Sequence, residues 1–293
     1  MKYSLYSGCL AQTEQYAYEL SVREVLPKLG IELVNLEGAS CCGFPSFSIT
    51  SPLTTTYLTA RNLALAEKVG LDLLTMCNKC SFIMLANMKK LEDEKLKNSI
   101  NKILSIEDLH YNGNRRIIHL LEILYDEIGL KKIQELVKKP FNGFKLAAYP
   151  GCYFYSSRAR ARDLRKSNDN EQPDKLTQLI RALGAESPEY KEIHNCCGSD
   201  ISGVEKETAL KMTSSILKAT KDLDVEGIVT LCPHCFKMLD GQQEAVRGIL
   251  GDLEIKIPIF YYTQLLGVAM GVPRERLGMN LNLSPVNDLM FRF

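Results

Sequence analysis

The sequence predicts an α/β fold of two pseudo-equivalent domains, each a small, mainly parallel sheet with flanking helices. Three observations predict it. Ten cysteines fall into two sets of five with one shared pattern. Short apolar runs alternate with segments of helical spacing, the arrangement that gives parallel sheets. The residues flanking the two cysteine sets also match, so each half of the 293-residue chain repeats one plan. The implied domains are residues 1–143 and 144–293, each near the usual domain size of about 150 residues.

The elements follow in order. Residues 3–6 and 145–149 are short apolar runs that end near a Gly-Cys turn, and both read as strands. Residues 14–29 and 174–183 have helical spacing and run up to Leu29-Gly30 and Leu183-Gly184. Residues 31–36 read as a strand, and residues 186–193 as a weaker counterpart. Residues 54–69 and 205–223 are helices with apolar periodicity. Residues 72–76 and 227–231 are strands with C-x-x-C at their C-terminal ends. A further apolar segment closes each half, at 117–128 and at 257–270, the latter a strand followed by a buried helix. Residues 87–114 have no counterpart of equal length. They are rich in Lys and Glu and read as a solvated helical hairpin, with a partner-docking surface as the alternative. In parallel sheets ligands gather outside the carboxyl ends of the strands, so all five cysteines of a half can converge there.

The cysteines are Cys9, Cys41, Cys42, Cys77 and Cys80, then Cys152, Cys196, Cys197, Cys232 and Cys235. Cys42 and Cys77 are 35 positions apart, as are Cys197 and Cys232. Cys9 to Cys41 is 32 positions and Cys152 to Cys196 is 44. The extra twelve fall in residues 158–175, where Ser167-Asn168-Asp169-Asn170 reads as a surface loop insertion. Gly8-Cys9 matches Gly151-Cys152, and Cys41-Cys42-Gly43 matches Cys196-Cys197-Gly198.

Composition narrows the classes. A net charge of +1 argues against nucleic acid as the partner, because such binders carry a strong basic patch. No run of about 18 apolar residues exists, which argues against a membrane span, and Met1 to Tyr6 lacks the apolar core of a signal peptide. Ten cysteines in such a chain point to a reducing, cytoplasmic setting and to thiolates held on metal rather than to a disulfide scaffold.

Cysteine thiolates commonly hold iron–sulfur clusters, four to a cluster. Adjacent cysteines in an extended chain point to opposite sides, so both can face one cluster only in a turn, which Gly43 and Gly198 allow. Five thiolates exceed the need of one cubane: one is spare, or the cluster is no simple cube. Structural zinc fits less well, since its C-x-x-C pairs usually lie about 15–20 residues apart, whereas these are 155 apart. A redox dithiol at Cys232-Pro233-His234-Cys235 leaves the other cysteines unexplained. Inert buried cysteines do not come in duplicated sets. Among the four histidines, His119 reads as a core or surface residue and His110 as a loop residue. His194 and His234 stand beside cysteines, where each can donate a proton or a hydrogen bond to sulfur.

The twofold pattern C-…-CC-…-C-x-x-C, with Cys77-Asn78-Lys79-Cys80 and the late Gln264-Leu265-Leu266-Gly267 segment, resembles the tandem CCG cysteine-rich domains of the heterodisulfide reductase B-subunit family. The resemblance implies two non-cubane [4Fe-4S] clusters, one on Cys9, Cys41, Cys42, Cys77 and Cys80, the other on Cys152, Cys196, Cys197, Cys232 and Cys235. It implies a catalytic subunit that reduces a disulfide, in methanogens that of coenzyme M and coenzyme B, between the two clusters. Methanogen enzymes typically open their second half with Gly-Cys-His; here it reads Pro150-Gly151-Cys152-Tyr153, which leaves the disulfide's identity open. Related proteins of sulfur oxidisers act on sulfur bound to a lipoate carrier, and a pure electron-transfer module is a further reading. No ferredoxin-type cysteine segment is present, so the implied partners are a small iron–sulfur donor subunit and a flavin subunit, resembling the C-type and A-type subunits of such reductases. Lys79, Arg158 and Arg160 are candidate cations for an anionic substrate, with surface charge the favoured role for both arginines.

Overall fold

Apolar runs of three to five residues, buried along nearly their whole length, make six of the seven strands, as strands covered on both faces by helices must be; the exception is the edge strand Glu32–Asn35, which is exposed at both ends. The computed structural model describes residues 1–154, 174–251 and 255–286. The first sheet has four strands: β1 (Lys2–Tyr6), β2 (Glu32–Asn35), β3 (Leu73–Thr75) and β4 (Ile117–His119). They are parallel and ordered β2-β1-β3-β4, with Ser4 opposite Leu73 and Leu73 opposite Ile117. The second has β5 (Leu146–Tyr149), β6 (Gly227–Thr230) and β7 (Ile259–Tyr261), parallel and ordered β5-β6-β7. Strand β5 takes the place of β1, β6 of β3 and β7 of β4.

The second sheet departs from expectation at residues 186–193, which form no strand. Only Glu186 reaches the edge of β5, as an isolated parallel bridge to Lys145. Its carbonyl accepts from the Leu146 amide at 2.8 Å, and its own amide donates to the Phe144 carbonyl at 2.8 Å. Pro188 follows two residues later and has no N–H to continue a ladder, and the chain turns into a short 3-10 helix, Lys191–His194. Residues 87–114 also differ from a merely solvated hairpin. The helix Glu94–Leu104, capped by Asp93 onto the amides of Lys95 and Leu96, buries Ile100 and Leu104 with Leu91 in the hydrophobic core. Their spacing puts one apolar stripe on a helix whose other faces carry the lysines.

Five further helices fall where periodicity predicts, Tyr16–Val25, Pro52–Val69, Lys175–Ala182, Lys206–Asp222 and Tyr262–Ala269, whereas Asn78–Lys90 and Gln243–Leu250 lie outside the predicted helices. By internal packing the chain forms two units, interleaved in sequence. The first holds Met1–Cys9 and Gly30–Leu120 together with Tyr153 and Phe154. The second holds Leu10–Leu29, Leu121–Cys152 and the described residues from Asp174 onward. In the second unit Tyr18, from the Tyr16–Val25 helix, is stacked on Tyr261 with ring centroids 4.1 Å apart, and Phe236 stacks on Tyr261 at 4.0 Å. In the first, Phe154 lies against His119 at 5.2 Å, and Tyr153 packs on Phe44 and Phe82 at 5.4 and 4.8 Å. Of the insertion expected at residues 158–175, residues 158–173, with Arg158 and Arg160, lie outside the described residues, while Asp174 and Lys175 open a helix.

Candidate metal centres

Each cysteine is placed by a local device that recurs in both units. Cys77 and Cys232 are the extended residues just before the helices Asn78–Lys90 and Pro233–Gly241, so the next cysteine, Cys80 or Cys235, lies in the first turn. The amide of Cys77 donates to Thr75 Oγ1 at 3.3 Å, and that of Cys232 to Thr230 Oγ1 at 3.4 Å. Cys9 and Cys152 follow glycines in the left-handed region, Gly8 at φ 73° and Gly151 at φ 83°. A Cβ on Gly8 would stand 3.3 Å from Cys80 Sγ, so the missing side chain is the space that sulfur occupies. The CC pairs turn through Gly43 and Gly198, at φ 77° and 85°. The amide of Gly43 donates to Cys41 Sγ and that of Gly198 to Cys196 Sγ, both at 3.4 Å. Main-chain amides of Phe44 and Ser199 likewise donate to the sulfurs of Cys42 and Cys197.

The five sulfurs of the first unit form a string of neighbours: Cys9 with Cys41, Cys41 with Cys42, Cys42 with Cys80, and Cys80 with Cys77. The second unit repeats the order: Cys152, Cys196, Cys197, Cys235, Cys232. The hydrogen bond to Cys41 and then burial push the Cys9 thiol far above its usual range, and Cys152 is raised in the same way by Cys196. Cys42, held by its bond to Cys41 and by burial, is pushed up to about 12, and Cys197, bonded to Cys196 and buried, also to about 12. Thiols packed this closely cannot all ionise unless positive charge stands among them. A metal cluster supplies that charge and binds cysteine as thiolate, so the donor set fits one. Among the described residues no three His, Cys, Asp or Glu side chains meet the geometry of a single-ion site.

Two buried tyrosines that the cysteine pattern did not single out complete the centres, one in each. Tyr6 donates to the Ser40 carbonyl at 2.9 Å and Tyr149 to the Asn195 carbonyl at 2.5 Å, in each case the residue just before the CC pair. Burial raises both hydroxyls well above the usual range, and the nearby cysteines raise them further. The signal was present in the sequence: Tyr6-x-Gly8-Cys9 and Tyr149-x-Gly151-Cys152 share it.

The centres differ at their edges. Cys9 and Cys41 are exposed, Cys152 and Cys196 half-buried, and the other six buried. Lys79 and His234 occupy the same place inside their C-x-x-C motifs. Lys79 is buried, and His234 Nδ1 lies 3.2 Å from Ser199 Oγ. His194 sits at the end of its 3-10 helix, its imidazole held below the usual range by burial. His119 is a core residue at the end of β4, and His110 contacts Asn101 away from the cysteines.

Residues 3–85 and 146–240 each match the CCG cysteine-rich domain model. A protein of Archaeoglobus profundus, described as like the B subunit of heterodisulfide reductase, is 32% identical over the whole of this chain and 98% of its own length. The B subunit of the ferredoxin/F420H2-dependent CoB-CoM heterodisulfide reductase of Methanosarcina acetivorans is 32% identical over 96% of this chain and 93% of its own. The chain belongs to the heterodisulfide reductase B-subunit family. As a member it is an iron–sulfur subunit of an oxidoreductase, built for assembly with partner subunits. The family's range is wide: the 8-methylmenaquinol:fumarate reductase membrane anchor subunit of Wolinella succinogenes is also 32% identical, over 98% of this chain and 99% of its own length. A hypothetical protein from Helicobacter pylori shares the fold with a TM-score of 0.77 at 17% identity, covering 97% of this chain, which spans 52% of that longer one. Among the described residues no helix is long and apolar enough to cross a membrane.

Proposed function

We propose that this chain is the catalytic subunit of a heterodisulfide reductase-type complex, reducing a disulfide to two thiols with electrons carried on two non-cubane [4Fe-4S] clusters. The observation that carries this is the five-thiol string, repeated in the same order around both sheets. Cys9, Cys41, Cys42, Cys77 and Cys80 hold one cluster, and Cys152, Cys196, Cys197, Cys232 and Cys235 the other. Such clusters supply one-electron chemistry at iron and sulfur. The balance is one S–S bond broken by two electrons and two protons, giving two thiols. The chain orients each ligand through the glycine turns and tyrosine hydroxyls. Amides of Gly43, Phe44, Gly198 and Ser199 donate to sulfur and stabilise negative charge there. Lys79 and His234 stand beside the ligands where a thiolate product takes up a proton. Electrons come from a small iron–sulfur subunit linked to a flavin subunit. The substrate is the coenzyme M–coenzyme B disulfide or a sulfur-bearing lipoyl carrier.

The name of the Wolinella succinogenes relative favours a second reading, in which the clusters only pass electrons between a quinol and a partner reductase. Anaerobic protein should carry about eight irons and as much acid-labile sulfide per chain; zinc in a colourless protein sinks the cluster assignment. Reduction of a disulfide by a viologen donor then separates catalysis from relay. Replacing Cys42 or Cys197 by Ser should each abolish turnover, and retained turnover in either variant contradicts a two-cluster mechanism.

A further inference from the structure

The two centres share one ligand order, yet the C-x-x-C turn of the second is gripped by a segment from the far end of the chain. Tyr18, fully buried, donates its hydroxyl to the Leu231 carbonyl at 2.9 Å, in the peptide that leads into Cys232. Its ring lies flat on Tyr261, with centroids 4.1 Å and planes 4° apart, and Tyr261 lies flat on Phe236 at 4.0 Å and 9°. Phe236 is the residue after Cys235. The Tyr261 hydroxyl donates to Gln15 Oε1 at 3.0 Å, and Lys237 of the helix Pro233–Gly241 pairs with Glu14 at 2.6 Å. Residues 14–18 thus hold the turn at its entry, Leu231, and at its exit, Phe236 and Lys237. The first unit lacks the parts for this grip. By strand register His119 stands opposite Thr75, where Tyr261 stands opposite Thr230. Ser81 takes the place of Phe236. Among the described residues no side chain donates to the Met76 carbonyl, the counterpart of Leu231.

We infer that Tyr18 is a positioning residue of the second centre, through which two centres with the same ligands hold electrons with different affinity. The inference rests on the reading above, in which the ten cysteines hold clusters. The Leu231–Cys232 peptide is fixed at both ends, its carbonyl by Tyr18 and its amide by Thr230 Oγ1 at 3.4 Å. Without the hydroxyl a buried acceptor stands unpaired and turns toward whatever donor remains, and the peptide carrying Cys232 turns with it. Bonds one layer behind the ligands orient them and tune the metal, and cluster potentials follow the hydrogen bonding around the sulfurs. The Tyr18 O–H dipole presents its positive end to that peptide, and positive potential beside a cluster favours the reduced, more negative form. Stacking keeps the hydroxyl in place: Tyr18 cannot swing off the carbonyl without leaving Tyr261, whose other face is covered by Phe236. Tyr18 comes nine positions after Cys9, so the segment that leaves the first cysteine set serves the second.

The test is an anaerobic redox titration of Tyr18→Phe followed by electron paramagnetic resonance. That variant keeps the ring and both stacks and removes the hydroxyl alone. Cys42→Ser and Cys197→Ser, each of which removes one centre, assign the signals. At a fixed potential the reduced-to-oxidised ratio of the second centre should fall about threefold, roughly 28 mV at 59 mV per tenfold for one electron, with the first centre unchanged. 4-Aminophenylalanine at position 18 puts a donor back on the same ring and should restore the parent ratio. Independently of the titration, hydrogen exchange of Tyr18→Phe should rise at the amides of Cys232 and Phe236, while those of Cys77 and Ser81 keep their protection. An unshifted second centre, equal shifts in both centres or no rescue by the amino ring overturns the inference. Iron-free parent protein sinks the cluster reading alone, and the exchange result then decides whether Tyr18 positions the C-x-x-C turn.

Discussion

At the scale of single residues, Tyr6 and Tyr149 perform one task with different backing. The Ser40 carbonyl that Tyr6 holds also accepts from Asn62 Nδ2 at 3.0 Å, whereas among the described residues the Asn195 carbonyl accepts from the Tyr149 side chain alone. Tyr6→Phe should therefore cost about 1 kcal/mol and Tyr149→Phe more, up to about 3 kcal/mol, because the acceptor there loses its partner. Denaturant titrations of the two anaerobic variants check the order, and iron retained after gel filtration should fall further for Tyr149→Phe. The glycines give a second ranked pair. A Cβ at Gly198 would meet the Ala209 carbonyl oxygen at 2.6 Å and its Cα at 2.8 Å, main-chain atoms that cannot step aside. At Gly43 it would meet side-chain tips, Leu58 Cδ1 at 3.0 Å and Phe47 Cδ2 at 3.1 Å. Both alanines face an unfavourable φ. Gly198→Ala should nevertheless be the more damaging, with loss of cluster absorbance in the purified protein, while Gly43→Ala keeps part of it.

At the scale of the element, the helix Lys175–Ala182 begins on a costly cap. Asp174 accepts from the amides of Leu176 and Thr177 at 2.7 and 3.4 Å through Oδ1. Burial outweighs these bonds and raises its carboxyl to about 6. A carboxyl raised above its unfolded value of about 3.9 is destabilised by ionising on folding. Its stabilising share is present below pH ~4 and is lost as pH rises through ~6. Asp174→Asn keeps the cap oxygen and removes the charge. It should stabilise the protein at pH 8 by at most about 3 kcal/mol and change little at pH 4, as paired melting curves would show. Elements also mark where the sequence was legible. Strands ending in Gly-Cys or C-x-x-C were plain, because a short apolar run and a turn sit side by side in the chain. Residues 186–193 misled because only Glu186 pairs, and an edge that stops after one residue leaves no alternating pattern. The Glu94–Leu104 helix hid its core face because lysines dominate its composition while Leu91, Ile100 and Leu104 do the packing.

At the scale of the whole molecule, the cysteine repeat is legible as two like sets of thiols, and the structure gathers the sulfurs of each set into a string of the same order. The tyrosine supports were less legible, because a lone tyrosine three positions before a cysteine carries no metal-ligand signature. Partition into units was not legible at all. That residues 10–29 pack with the second unit depends on Tyr18 meeting Tyr261, on Ser21 Oγ lying 2.6 Å from Thr263 Oγ1 and on Arg276 pairing with Glu24 at 2.8 Å. Each of these partners lies more than 240 positions away, beyond any local periodicity. One measurement follows: Ser21→Val leaves Thr263 without its buried partner and should cost about 1–2 kcal/mol. Hydrogen exchange should rise in the Tyr16–Val25 helix while the amides of β1 and β3 keep their protection.

The interleaving also bears on how the chain can be divided. Leu10 follows Cys9 into the second unit, and Tyr153 follows Cys152 into the first. A cut between the two cysteine sets would strand Tyr153 and Phe154 from Phe44, Phe82 and His119, and Tyr18 from Tyr261. Each half, expressed alone, would lack aromatic side chains that its own unit packs around, so neither half is a self-sufficient folding piece.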